Sequence, residues 1–250
     1  MTTAAVLYAT RVVLAEDVAV NDGLLRTIEL VTPRGSLVDP LPPAAVGAGN
    51  VETSQRIVDV VLGAYARALP DRVPAASYGT MNNLLIGGVD PRRGRAFAYY
   101  ETLGGGHGAG PAGPGEDAMQ GHMTNTRNTP IESLEHAYPL EVASFRIRRG
   151  SGGRGTHAGG EGIERRVRLL APARVTVIAE RRARGPWGLK GGEPGSPGVT
   201  RVTVGRATRT LPSKCTTDLP AGAVVELSSP GGGGWGRPRA RTARRAKRAR

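Results

Sequence analysis

Residues 96–110 read AFAYYETLGGGHGAG, an aromatic-rich run that suits a pleated strand and breaks into clustered glycines. This junction divides the chain. Upstream, residues 51–69 carry Ile57, Val61, Tyr65 and Ala68, with Val58, Leu62 and Leu69, at helical spacing. Asn50 is placed to cap that helix, Glu52 suits its positive end, and Pro70 stops it. Residues 3–15 (TAAVLYATRVVLA) read as a second, Ala-rich helix, and 24–31 as a weakly alternating strand after the Asn21-Asp22-Gly23 turn. Downstream, glycines cluster through 104–162, and all four histidines (His107, His122, His136, His157) fall there. Strand-like runs follow at 167–170, 175–178, 202–204 and 224–227, separated by Gly/Pro turns. The expected class is α/β in the mixed α+β sense, with a helix-and-strand first half and a mostly β, glycine-rich second half. No internal repeat is evident.

Composition narrows the possible classes. With 37 Gly and 19 Pro in 250 residues but no collagen period, the chain is turn-rich rather than fibrous. No apolar run approaches the roughly 18 residues of a membrane span, and the start carries no secretory pattern. The single cysteine, Cys215, excludes an intrachain disulfide and fits a reducing compartment, so a cytoplasmic location is expected. The net charge is +13, of which eight positive charges lie in residues 237–250 (RPRARTARRAKRAR). That segment reads as a disordered, solvated tail appended to a domain spanning 1–236. It can touch nucleic acid non-specifically through phosphates, but has no interleaved aromatic for stacking on bases.

Most chemical motifs fail on context. Gly108, Gly110 and Gly113 match G-x-G-x-x-G, yet Pro111, Pro114 and Gly115 would interrupt the helix that must follow. None of Lys190, Lys214 and Lys247 follows a P-loop glycine run. There is no H-E-x-x-H, C-x-x-C or G-x-S-x-G pattern, so neither a metal site nor a nucleophile elbow is read from this chain alone, and Cys215 is a bystander. The run HMTNTRNTPIE (122–132) is different. Its short polar side chains surround one guanidinium, Arg127, able to clamp a carboxylate or phosphate through two parallel bonds. Two readings stay open for it: a pocket wall, or a polar cap on an element beginning near Ile131. The glycine runs at 150–162, 184–195 and 230–236 permit tight turns and close backbone packing, the latter two around Trp187 and Trp235.

These runs in order, from NDGLLRTIELVTPRGSLVDPLPPAAVGAGNVETSQRIVDVVLGA through YGTMNNLLIGG, YYETLGGGHGA, GHMTNTRNTPIESLE, SGGRGTHAGGEGIER and ERRARGPWGLKGGEPG to PGGGGWG, resemble the hydantoinase B/5-oxoprolinase family from Met1 to Gly236. The likeness is to the C-terminal half of its B-type subunit. It implies an ATP-dependent system opening cyclic amides such as hydantoins or 5-oxoproline. An A-type subunit would bind ATP and activate the substrate, with the N-terminal half of the B subunit as a further partner. A divalent metal is implied for the complete subunit, its ligands mostly in the half not represented here. Ketone carboxylases of the acetone or acetophenone type share the subunit, which gives one alternative; an inactive truncated fragment is another. By position in the motifs, Asn125, Arg127 and Asn128 would line the pocket, with backbone at Gly104, Gly105, Gly106 and Gly108 approaching it. Arg127 and Glu132 would be catalytic, Glu132 as a proton-handling carboxylate. Ala158 departs from the arginine often found before that Gly-Gly pair, removing one possible anion contact.

Overall fold

The computed structural model describes residues 1–14, 19 and 21–238. The basic tail beyond Pro238 therefore lies outside the described residues. Helix α1 (Thr2–Leu14) packs on α2 (Ser54–Ala68), burying Ala5, Ala9 and Val13 against Val58, Leu62 and Ala66. Alanines on the α1 face let the two helices approach closely. The helix expected at 51–69 opens with a wider π turn over Gly49–Thr53, and the Asn50 side chain makes no cap; the Asn50 backbone carbonyl instead accepts the Ser54 hydroxyl at 2.9 Å. The α2 face against the core is also turned from the one expected. Val58 and Leu62 are buried along with Gln55 and Asp59, while Ile57, Val61 and Tyr65 stay half-buried.

Two antiparallel sheets follow. The first has the order β2-β1-β5-β8, from β1 (Asn83–Asp90), β2 (Arg95–Glu101), β5 (Ala173–Ile178) and β8 (Lys214–Leu219). The second runs β3-β4-β9-β6-β7, from β3 (Leu140–Arg148), β4 (Gly162–Leu169), β6 (Val199–Val204), β7 (Ala207–Thr210) and β9 (Val224–Ser228). Alternate residues of both sheets feed one core: Leu84, Ile86, Val175 and Val177 from the first, and Val167, Leu169, Val202, Val225 and Leu227 from the second. A short helix, α3 (Ile131–Ala137), inserts Leu134 into the same core.

The four strands read from periodicity are present as β4, β5, β6 and β9. The strand expected at 24–31 is not: Leu24–Thr27 is a 3-10 turn, and residues 28–33 run without a ladder partner. The turn before it does form, with Asn21 Oδ1 accepting the Gly23 N–H at 2.8 Å. A weakly apolar run becomes a strand only where a neighbouring strand satisfies its backbone.

The glycine segments interlock. A Cβ on Gly106 would sit 1.8 Å from the Gly160 carbonyl oxygen, and one on Gly108 1.8 Å from that of Ala75. Backbone ties join these runs: Gly106 N–H to Pro230 O (3.1 Å), Ala109 N–H to Gly233 O (2.9 Å), and Gly232 N–H to Gly160 O (2.9 Å).

Candidate functional site

The polar run singled out in the sequence fastens the end of β2. Asn128 Nδ2 donates to the Thr102 carbonyl at 2.9 Å, and the Thr126 and Thr102 hydroxyls meet at 2.6 Å. Next to this attachment lies a wholly buried ion pair, Arg165 Nε to Glu101 Oε2 at 3.1 Å, with the guanidinium 4.9 Å from the Phe145 ring centre. The pair is electrostatic rather than a directional hydrogen bond: the Arg165 nitrogens and Glu101 oxygens have no hydrogen-bond partner among the described residues. Asn125, Arg127 and Glu132 are exposed, Glu132 in the first turn of α3. Thus Thr126 and Asn128 tie the run to the end of β2 and do not cap α3, whose N-cap, Pro130, makes no side-chain cap, while Asn125 and Arg127 are exposed. Gly104, Gly105 and Gly106 are buried, and protein backbone or the Tyr78 side chain fills the space beside each; Gly108 is half-buried against Ala75.

Neither of the two prominent hollows is lined by these residues. One, of about 900 Å³, is the outer face of the first sheet, with Leu85, Gly87, Val89 and Tyr100. The other, of about 1190 Å³, opens between the start of α1, the irregular segment 30–46, the entry to α2, and the ends of β5 and β8. Its wall holds the charged side chains Asp39, Glu52, Arg56, Glu180 and Lys214.

Glu52 is the unusual member. The π turn that starts α2 carries it inward, where it is 3% exposed. Its Oε1 accepts the Met81 N–H at 2.9 Å and Asn83 Nδ2 at 2.7 Å, and Asn83 Oδ1 in turn accepts the Tyr100 hydroxyl at 2.6 Å. Oε2 has no hydrogen-bond partner among the described residues. Burial pushes this carboxyl up to about 7, overcoming the nearby Thr80 hydroxyl and the hydrogen bonds from Met81 and Asn83. A carboxyl so placed can hold or release a proton near neutral pH, the property expected of a functional acid or base in a cavity.

Two turns along α2, buried Asp59 takes Arg181 at 2.6 Å and Arg56 at 3.1 Å on one oxygen. Burial raises its pKa, and the Arg181 charge opposes that. The carboxylate needs the glycine at 79: the backbone there has φ +58°, and a Cβ would lie 2.4 Å from Asp59 Oδ2. Arg182, lowered to about 10 by burial, reaches Asn82 Oδ1 at 3.1 Å, and Lys214 pairs with Glu180. None of these groups was singled out as functional from sequence; Glu52 was read only as an acid suiting a helix terminus. A signal was nonetheless present, because Glu52, Gln55 and Asp59 fall on the stripe that continues through Leu62 and Ala66, so polar side chains occupy core positions of α2.

The half-buried His122 is committed locally. His122 Nδ1 meets the Tyr8 hydroxyl at 3.1 Å and Nε2 faces Ser77 Oγ at 3.5 Å, while burial lowers its pKa and favours the neutral ring. His107 Nε2 lies 2.9 Å from the Gln120 carbonyl. Among the described residues no group of three or more His, Cys, Asp or Glu side chains is arranged to hold a metal ion, so these donors do not fit the divalent metal that the family resemblance implies. Among the same residues no helix is long and apolar enough to cross a membrane.

A two-sheet α+β core knotted by glycine backbone, with a charged cavity beside its first sheet, defines the class structurally, and comparison with known proteins supplies the family. Residues 1–238 match the model for hydantoinase B/oxoprolinase, and the chain belongs to that family. It is 42% identical to an uncharacterised protein of Methanocaldococcus jannaschii over 95% of this chain and 41% of that protein. It is 41% identical to 5-oxoprolinase 1 of Arabidopsis thaliana over 94% of this chain and 18% of that one. Among solved structures, the ATP-dependent caprolactamase of Pseudomonas jessenii superposes with a TM-score of 0.79 at 24% identity, over 95% of this chain and 44% of that chain. At that identity the likeness concerns the fold. The chain therefore spans less than half the length of these relatives, and corresponds to the C-terminal portion of the 5-oxoprolinases.

Proposed function

We propose that this chain forms part of the B component of an ATP-dependent hydrolase that opens cyclic amides of the hydantoin or 5-oxoproline type. The observation that carries the reading is the 41% identity to a 5-oxoprolinase across 94% of the chain. Opening an unstrained lactam adds water across a stable amide, so coupling to ATP is chemically reasonable, and the caprolactamase of like fold is ATP-dependent. As the family resemblance implies, ATP is assigned to an A-type partner subunit. The rest of the B component is assigned to a second polypeptide segment.

In this reading the exposed Asn125 and Arg127, with Asn128 behind them, form one wall of a pocket that the second segment completes. Arg127 binds a carboxylate or phosphoryl group through its planar fork, and the loop holding it is fixed by Thr126 and Asn128 on Thr102. Glu132, exposed at the first turn of α3, handles a proton, and the glycines Gly104, Gly105, Gly106 and Gly108 set the backbone frame beneath.

The test is reconstitution with an A-type subunit and the remaining B segment, followed by ATP-dependent opening of hydantoin and 5-oxoproline. Arg127→Ala is expected to cut turnover at least tenfold; unchanged turnover refutes the pocket assignment. A ketone-carboxylase reading draws on the likeness in fold to acetone carboxylase (TM-score 0.73, 18% identity). The same complex given bicarbonate and a ketone separates the two.

A further inference from the structure

Residues 21–50 hold nine Leu, Ile or Val side chains against five charged ones, yet not one residue of the segment is buried. A solvated linker has the opposite composition, poor in branched apolar side chains and rich in charge. Leu30, Leu37, Leu41 and Val46 line the cavity beside the first sheet and remain exposed, Leu37 at 77%; Val31, which is not part of that wall, is 81% exposed. Grouped apolar surface of this kind marks an interaction site. The backbone adds a second observation. Ile28 is extended, with φ −126° and ψ 115°, and Glu29, Leu30, Val31 and Thr32 make no backbone hydrogen bond among the described residues. Leu30 and Thr32 line the cavity while Val31 between them does not, the alternation of a strand. Strand-forming residues with an open row of donors and acceptors are a template for one further strand.

We infer that residues 28–32 pair with a β-strand of the remaining part of the B component, and that Val31, Leu37, Leu41 and Val46 are buried in the same contact. The occupant follows from length. The family match runs through this segment, and the Methanocaldococcus jannaschii relative carries more than half of its own length outside the matched portion. In that relative the two portions are one polypeptide, and the body formed by the unmatched one has to bury apolar surface against the matched one. Pairing at 28–32 satisfies the open backbone, and the flanking Leu and Val side chains supply the desolvated area. The occupant rests on the reading above that a second polypeptide segment completes the B component; the exposed apolar segment and its open backbone do not.

The probe is the portion of the Methanocaldococcus jannaschii relative that this chain does not match, purified together with the full chain. A complex is expected in which the amides of residues 29–32, fast to exchange with deuterium in the free chain, become protected. Val31→Glu and Leu37→Glu should each weaken the complex by about tenfold or more, because each places a charge in an apolar contact. Both side chains are more than three-quarters exposed, so neither change disturbs the core, and an unchanged melting temperature of the free chain checks this. No complex, a complex whose 29–32 amides still exchange fast, or parental affinity in both variants overturns the inference. So does protection of these amides in the chain alone as its concentration rises, which makes a second copy the occupant. The two proposals fail separately. Protection at 29–32 without ring opening by the reconstituted complex removes the activity and leaves this surface, whereas ring opening with 29–32 unprotected removes the surface and leaves the activity.

Discussion

Replacing Glu52 by Gln should make the protein more stable at alkaline pH and leave little gain in acid. The folded carboxyl, raised to about 7 from an ordinary value of 4.5, keeps its proton where the unfolded chain has lost it. Its contribution is thus fully present below about 4.5 and is lost progressively as pH rises through about 7. At about 1.4 kcal/mol per pH unit, the loss across that window amounts to about 3 kcal/mol, flat above it. Glutamine keeps the carbonyl that accepts from Met81 and Asn83 and cannot ionise, so the variant escapes the loss. Urea denaturation followed by Trp187 and Trp235 fluorescence, at half-unit steps from pH 5 to 8.5, gives two stability curves. Their difference is the quantity of interest, because titrations not coupled to Glu52, such as those of His122 and Asp59, are common to both curves. The difference should grow by about 3 kcal/mol in favour of the variant, equivalent to about 6–12 °C in Tm for a chain this long. Parallel curves would show that Glu52 titrates alike in the folded and unfolded chain, and the burial argument would fail.

Three further outcomes follow from the structure. Arg165→Met should cost about 3–5 kcal/mol by stranding the Glu101 carboxylate in the core, and Glu101→Leu combined with Arg165→Met should recover much of it, as read by chemical denaturation of both variants. Gly79→Ala should destabilise by about 1–3 kcal/mol, because a Cβ there meets Asp59 on backbone held at positive φ, whereas Gly94→Ala, with open space around it, should cost only the φ strain. Removing residues 239–250, beyond Arg237 whose carbonyl accepts the Thr156 hydroxyl, should leave the melting temperature unchanged and lower retention on nucleic-acid resin at moderate salt; retention that survives the deletion places the binding charge in the folded body.

β4 was legible only over its last turn of alternation, where buried Val167 and Leu169 flank exposed Arg168; its start at Gly162 and the burial of Arg165 were not. β1 was not: NLLIGGVD carries two glycines and no clean alternation, and it is a strand because β2 and β5 pair with it on both sides. β7 and β8 are largely polar edge strands whose ladders, not their side chains, define them. The reverse holds for 24–31, which has strand-like residues and no ladder.

The sequence by itself determined the family resemblance, the two-part helix-and-strand layout, the stop at Pro70 and the polar character of residues 122–132, since each depends on local residue order. Only the tertiary structure decided that the glycine runs pack on one another, that Thr126 and Asn128 fasten a loop on which Arg127 is exposed, and that Glu52 becomes a near-neutral carboxyl in a cavity wall. The reason is physical. A side chain's proton affinity and its access to a ligand are set by what surrounds it, and for Glu52 those surroundings come from residues 80–83 and 180–182, far along the chain.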